Sequence, residues 1–434
     1  MSLRTWRSIT AVLGAAMVMS AAAGATATPA SGEAADKPAT RGKVERKGPL
    51  AGLPSAPGPT IEKIKALGDN QWLNLGSPAA DPKWGRARGR TWGEKAFAPA
   101  PELRGAFFTG EGVHAFVKPD GFGMDDYWFY DLNAHRWICL YPGTDTRNFN
   151  RMVKDKELVV DDNGQVVDKD GQPIPGHLLI HAWGYLTYDT DQQKFTIFAS
   201  GGGFGAYYMP GLEAVKEGLN SLGAQAKTKK RPPAFTPWLY DPMTGKFERY
   251  PTASPWPDAG AFPLFFYVAS RKQHLVAGGK GVAYYDPAKR AWTVPKAQGP
   301  RPQGYDQRGC YDSKRDRVYM GGGDGFYVYD LKTETWTKPE VKPETYPTWC
   351  RIVHYDSVND TAVFMHGDKK LYAYHPETNT WDNPLPISAA IFGRGPQNAF
   401  YDPELNAHFV FVAGDSADNG TMWAYRYRRA PEKK

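Results

Sequence analysis

Residues 309–339 read Gly-Cys-Tyr-Asp-Ser-Lys-Arg-Asp-Arg-Val-Tyr-Met-Gly-Gly-Gly-Asp-Gly-Phe-Tyr-Val-Tyr-Asp-Leu-Lys-Thr-Glu-Thr-Trp-Thr-Lys-Pro, and this stretch decides the fold. Gly309 to Tyr311 reads as one strand, Asp312 to Asp316 as a turn, and Arg317 to Met320 as a second strand ended by Gly321-Gly322-Gly323. Phe326 to Tyr329 alternates as a third strand, Asp330 to Glu334 turns, and Thr335-Trp336-Thr337 opens a fourth. Four short strands joined by Gly- and Asp-rich turns make one propeller blade. The glycines permit a sharp turn where side chains clash, and an Asp after Tyr can accept hydrogen bonds from turn amides. Trp336 is expected to pack between neighbouring blades.

The same pattern recurs along the chain. Tyr130-Asp131 leads to Trp137, Tyr240-Asp241 to Phe247, Tyr285-Asp286 to Trp292, Tyr329-Asp330 to Trp336 and Tyr374-His375 to Trp381, with a degenerate copy around Trp423-Ala424-Tyr425. From Phe247 onward the aromatics repeat roughly every 45 residues, a period of propellers and solenoids. Six blades are counted. The sixth lacks an outer Trp strand, whereas Gln71-Trp72-Leu73-Asn74-Leu75 is an outer strand without a blade. The expectation is an all-β, six-bladed β-propeller over residues 70–430, its last blade closed by the N-terminal strand so that no sheet edge stays open.

Gly-Gly, then Tyr-Asp, then Trp at this spacing resembles the Kelch repeat. Gly278-Gly279 with Tyr285-Asp286 and Trp292, and Gly321-Gly322 with Tyr329-Asp330 and Trp336, carry the full signature, and Asp125 to Asp131 with Trp137 matches its core. Elsewhere the glycine doublet is replaced, by Lys118-Pro119 in the first repeat, His366-Gly367 in the fifth and Ala413-Gly414 in the last. The resemblance, to the Kelch and galactose oxidase central-domain superfamily, covers about residues 70–427 and speaks for fold rather than activity. Galactose oxidase implies a copper site of tyrosines and histidines. Here the adjacent Tyr374-His375 occupies the place of a Tyr-Asp pair, so the repeat explains it, and neither a metal nor a cofactor is expected.

The 434 residues include 14% aromatics, 46 Gly and 36 Pro, which suits short strands and tight turns. Arg4 and Arg7 precede an apolar run, Ile9 to Ala23, and small residues follow with cleavage-like triplets at Ala21-Ala22-Ala23 and Ala25-Thr26-Ala27. Residues 1–27 therefore read as a secretory signal, the run being shorter than the roughly 20 residues of a membrane span. The expectation is a secreted or periplasmic protein with no membrane span. Residues 28–69 read as a linker with a short helix from Thr60 to Leu67 capped by Thr60, and loss of residues 28–59 is expected to leave the fold intact. Without Arg4 and Arg7 the net charge falls from +7 to +5, a mildly basic surface rather than the basic, aromatic-studded stripe of a nucleic-acid binder. Of the three cysteines, Cys310 and Cys350 are the obvious pair. Their four-residue stagger in the repeat is roughly 13 Å, beyond the ~7 Å of a disulfide, so free thiols are expected.

Two stretches exceed the repeat. Residues 145–176 contain a hairpin from Leu158 to Val167, and residues 207–237 contain a helical segment from Gly211 to Leu222 and the basic run Lys227 to Arg231. Such insertions commonly carry function. The Asp-rich tracts Asp161 to Gly164 and Asp168 to Gly171 lack the distal Glu of a calcium loop and read as turns. No nucleophile elbow, P-loop or His-Glu-x-x-His motif is present.

The candidate site comes from register. Aligned on Tyr311, Tyr355 and Tyr401, the innermost strands bring Arg308, Arg351 and Gln397 to one opening of the channel, with Arg104 entering the first blade, His181 and Trp183 the second, and Trp349 and Arg394 just upstream. Arg holds planar or tetrahedral anions by paired hydrogen bonds, and Trp stacks on sugar faces. A merely polar channel lining accounts for the same residues. The expected function is a binding module for a glycan, acidic for preference, or for a protein partner. A sugar-modifying enzyme such as an acidic-sugar epimerase is the alternative, with His181 or Glu111 moving a proton, and a structural envelope scaffold is the third.

Overall fold

Each Tyr-Asp dipeptide ends a strand and builds the turn after it. The Asp carboxylate accepts amides two and three residues on: Asp312 takes Lys314 and Arg315 (2.9 and 3.1 Å), and Asp330 takes Lys332 and Thr333 (3.0 and 3.1 Å). Asp189 and Asp286 do the same. The turn ends on a residue with positive φ, such as Asp360 (52°) or Asn379 (55°), and the preceding Tyr hydroxyl bonds that residue's side chain: Tyr355 to Asp360 at 2.8 Å, Tyr374 to Asn379 at 3.0 Å. The chain then pairs back in fixed register, so that Tyr130 faces Trp137, Tyr285 faces Trp292, Tyr329 faces Trp336 and Tyr374 faces Trp381. The constant Tyr-to-Trp spacing is the length of this hairpin.

The computed structural model describes residues 44–90, 96–110, 118, 120–163, 165–174, 186–198, 215–229, 237–249, 264–303, 308–322, 325–340, 350–392, 397–413 and 420–430. The hairpins assemble six antiparallel sheets in a ring, a six-bladed β-propeller. The blades begin, innermost, with Phe97–Ala100, Leu186–Asp189, Leu264–Val268, Arg308–Asp312, Cys350–Asp356 and Gln397–Asp402, numbered here 1 to 6. Each innermost strand lies against its two neighbours around the circle, and blade 6 meets blade 1. The apolar core fills the seams between blades. Trp336 and Tyr329 sit with Leu264, Val282 and Met320 between blades 3 and 4; Trp381 sits with Phe326 and Phe364 between blades 4 and 5.

Blade 6 takes its outer strand from the other end of the chain. Gln71–Gly76 pairs antiparallel with Thr421–Arg426, Trp72 opposite Tyr425 with ring centroids 4.4 Å apart, as the repeat pattern anticipates.

The segment before that strand departs from expectation. Residues 44–58, read as linker, lie across the turns of blades 2 and 1. Leu50 is fully buried, the Arg46 guanidinium is paired with buried Asp131 and bonds the Leu103 carbonyl (Nε, 3.0 Å), and Asn133 donates to the carbonyls of Pro54 and Ser55. Gly58 passes so close to Asn133 that a Cβ would stand 2.2 Å from its carbonyl oxygen. The helix is Pro59–Lys65, one residue earlier than expected: Gly58, not Thr60, is its N-cap, and Pro59 fits the first turn because its missing N–H needs no partner there. Ile61 and Ile64 bury against blades 6 and 1. Arg426 then closes the joint, donating to the carbonyls of Ile64 (3.0 Å), Lys65 (2.9 Å), Leu67 (2.5 Å), Leu405 (2.9 Å) and Asn406 (3.2 Å). A cation on the last carbonyls of a helix is favoured.

The two long insertions form one small unit. Helix Phe149–Lys154, the hairpin of Leu158–Val160 with Val166–Asp168, and helix Lys216–Lys227 share a core of Phe149, Val153, Leu158, Val160, Leu219 and Leu222. The second helix runs farther than the expected Gly211 to Leu222, of which 211–214 lie outside the described residues. Gln165 donates to the Arg249 carbonyl (2.8 Å), anchoring the unit to blade 2. Among the described residues no helix is long and apolar enough to cross a membrane. The expected signal, residues 1–27, lies outside them.

Candidate functional site at the channel mouth

All six innermost strands run the same way along the channel, so their first residues share one end of it, the mouth. Blade 5 breaks the regular pattern there. Cys350 faces His366 but Ile352 faces Met365, which leaves Arg351 as an extra residue, a β-bulge. The corresponding described pairings in blades 1, 2, 3, 4 and 6 show no such shift. A bulge re-aims a side chain, and Arg351 is the one exposed residue of a strand otherwise buried. Its Nη1 donates to Gln397 Oε1 at 3.0 Å, a bridge from blade 5 to blade 6. Gln397 is buried, so its amide is fixed and orients the guanidinium.

Arg308 starts the innermost strand of blade 4 and is also buried. Burial pushes the Cys350 thiol well above its ordinary pKa, Asp368 adds to this, and Arg308 opposes it. Burial thus disfavours the Cys350 thiolate, the nucleophilic form. None of Cys139, Cys310 and Cys350 is in a disulfide.

The turn after the second strand of blade 5 completes the cluster. His366 Nδ1 lies 2.8 Å from Asp368 Oδ1, and the Tyr372 hydroxyl donates to Asp368 Oδ2 at 3.0 Å. Partial burial alone would raise the Asp368 carboxyl; the bonds from His366 and Tyr372 outweigh it and hold the group below the ordinary range. Between His366 and Asp368, a Cβ on Gly367 would lie 3.7 Å from Arg351 Nε, so the guanidinium passes directly beside this turn.

Asn398, next to Gln397, has a structural task. Its amide bonds both backbone groups of Arg90 at 2.8 Å, and the Arg90 guanidinium pairs with Asp126. Lys118, standing where a glycine doublet was expected, also reaches Asp126 (3.2 Å), as does Trp128 Nε1 (2.8 Å). Burial would raise the Asp126 carboxyl, but Arg90 and Lys118 hold it below its usual value.

The structure thus brings Arg308, Arg351 and Gln397 to one end. Arg104 is not with them. It ends the turn after the innermost strand of blade 1, with φ of 58°, at the opposite end of the channel beside Arg46 and Val44. The sequence reading placed it at a strand entry because a left-handed turn residue carries no mark when it is not Gly or Asn. His181, Trp183, Trp349 and Arg394 lie outside the described residues, as does Glu111. His366, Asp368 and Tyr372 were not singled out as site residues, although His366-Gly367 was visible as a departure from Gly-Gly.

Chemically, this end gathers the guanidinium of Arg351, bonded through Nη1 to Gln397, with Arg308 and the His366–Asp368 pair nearby, a set whose guanidinium donors suit an anion. Among the described residues no group of three or more His, Cys, Asp or Glu is arranged to hold a metal. Compared with known proteins, the chain matches no family model and no curated protein.

Proposed function

We propose that the protein is an exported, Kelch-like propeller that binds an acidic glycan at the mouth of its channel. The observation that carries this reading is the bulge at Arg351. A regular strand would not need it, and it turns a strong bidentate donor into the open while Gln397 holds it in place. The unit built from the two insertions emerges between strands at the same end of blades 1 and 2, so it borders the mouth and would contribute to partner choice.

A thermal-shift series with acidic and neutral oligosaccharides at low salt tests the reading. Stabilisation by acidic sugars that disappears in Arg351→Ala supports it. No shift with any sugar moves the reading to a protein partner on the insertion unit, and turnover of a stabilising sugar moves it to an enzyme.

A further inference from the structure

We infer that Trp84 and Phe122, on the outer part of the mouth face, form a second contact point for an acidic sugar ring, the indole stacking against it while Lys83 and Arg147 meet its carboxylate or sulfate. The inference rests on the reading of the protein as an acidic-glycan binder and adds a subsite apart from Arg351.

Position comes first. The connection between the second and third strands of blade 1, which holds Lys118 to Asp126, lies at the mouth end of that blade. Its Phe122 meets Trp84 edge-on, with ring centroids 5.3 Å apart and planes at 78°. Both rings are half-buried, whereas the repeat tryptophans Trp137, Trp292, Trp336 and Trp381 are buried in the seams. A series of contacts leads from here towards Arg351. Lys118 lies 5.8 Å from the Phe122 ring centre and pairs with Asp126, Asp126 pairs with Arg90, and the Arg90 backbone is held by Asn398, the neighbour of Gln397.

The rings are fixed in place. Asp81 Oδ1 accepts the amides of Lys83 and Trp84, both at 2.9 Å, and backbone bonds between Asp81 and Gly85 close the turn. Asp81 Oδ2 accepts the Cys139 amide at 3.1 Å, which locks the turn to the outer strand of blade 1. The Phe122 carbonyl accepts the Lys118 amide at 2.7 Å. Beside it Gly121 has φ of 82°, and a Cβ there would stand 2.5 Å from Arg147 Cδ. The glycine lets the Arg147 guanidinium lie 5.0 Å from the Phe122 ring centre.

Charge supplies the ligand class. Lys83 is exposed, holds its ammonium 4.7 Å from the Trp84 ring centre, and pairs with no carboxylate among the described residues. Arg147, 57% exposed, bonds Asp145 through Nε at 3.1 Å, and its Nη atoms have no partner among the described residues. Lys118 is already matched by Asp126 and takes no part. A Trp face accommodates the apolar side of a sugar ring, and flanking cations select a ring that carries an acid group. The edge-on pair presents one stacking surface, not the succession of platforms along which a nucleic-acid strand lies.

Trigalacturonate is the probe, with maltotriose as its neutral counterpart, in calorimetric titrations of the full mature chain at low salt. Binding of trigalacturonate should weaken roughly tenfold in Trp84→Ala, the loss of one stacked ring. It should weaken roughly threefold in Lys83→Ala, a difference that added salt shrinks. Trp84→Phe keeps an aromatic ring and should lose less than Trp84→Ala, which separates lost stacking from a folding defect. The indole N–H resonance of Trp84, identified by its absence in Trp84→Phe, should shift as wild-type protein is titrated with trigalacturonate and stay in place with maltotriose. An unmoved resonance, with wild-type affinity in Trp84→Ala and Lys83→Ala and binding lost in Arg351→Ala, overturns the subsite and leaves the mouth reading standing. Weakened binding in the Trp84 and Lys83 variants with full affinity in Arg351→Ala upholds the subsite and overturns Arg351 as the anchor. Tighter binding of a single-stranded oligothymidine than of trigalacturonate overturns the ligand class. Absence of trigalacturonate binding to the wild-type protein overturns the subsite together with the reading it rests on.

Discussion

The two ends of the channel are built on opposite principles. At the far end the described connections are short hairpin turns, several capped by their own Asp and closed by a left-handed residue, and the strap of residues 44–67 runs beneath. There the charged groups are matched to each other: Arg46 with Asp131, Arg315 with Asp312, Asp360 and Glu377, and His408 beside Asp356. At the mouth the connections vary in length, the pairing shifts register in blades 1, 5 and 6, and beside matched groups such as Arg90 with Asp126 Arg351 is bonded to a neutral amide rather than to a carboxylate. Charge that is neutralised stabilises; charge left uncompensated is available to a ligand. On the proposed function, Arg351 is the group this difference leaves for a ligand.

That contrast is breakable. The largest effect should come from removing residues 1–76, which deletes strap and closing strand together; no cooperative unfolding transition should survive in calorimetry. Removing only residues 1–58 should keep the transition but cost about 3–5 kcal/mol, because it leaves Asp131 buried without its cation and empties the Leu50 site. An unchanged melting temperature would return this segment to the linker of the sequence reading. Trp336→Ala empties the seam between blades 3 and 4 and should cost about 3–5 kcal/mol in urea titrations, with sugar binding at low temperature unaffected.

Acid should act through lowered carboxyls at both ends, Asp126 and Asp368 at the mouth among them. The Asp360 carboxyl is held far below its ordinary value, first by Arg315 and then, against the opposing effect of burial, by Lys314 and Tyr355; Asp189, Asp330 and Asp356 are also lowered. A carboxyl depressed in the fold contributes its full stability above the unfolded value, about pH 4, and loses it as pH falls through the folded value. The urea midpoint should therefore drop only on the acid side of about pH 4, and less steeply in Asp360→Asn. The smallest stability change belongs to Arg351→Ala, within about 0.5 kcal/mol of wild type, with sugar-induced stabilisation lost. A large loss of stability there would erase the distinction between the ends.

The far end was the legible one. Tyr, Asp and the aromatic seven positions on from Tyr are local chemistry, each needed for one hairpin, so blade number and closure could be counted from spacing. The strap was not legible, since it has no period and its own carbonyls are held by a side chain hundreds of residues away, that of Arg426. At the mouth, alignment on the tyrosines found Arg351, Arg308 and Gln397, because inner-strand register is fixed by the turns. It could not show the bulge, which is a property of pairing, nor that two insertions separated by blade 2's first strands would share a core.

The joint in blade 6 also dictates an order of events. Asn70 and Tyr425, bonded at 3.0 Å, are separated by 355 residues, and closing a loop that long costs roughly 5 kcal/mol of chain entropy. Until it closes, the strand Thr421–Arg426 has an unpaired edge, which is a template for pairing with other chains. Closure of the circle thus joins the most distant parts of the chain. An open ring keeps that sticky edge, and only closure buries it.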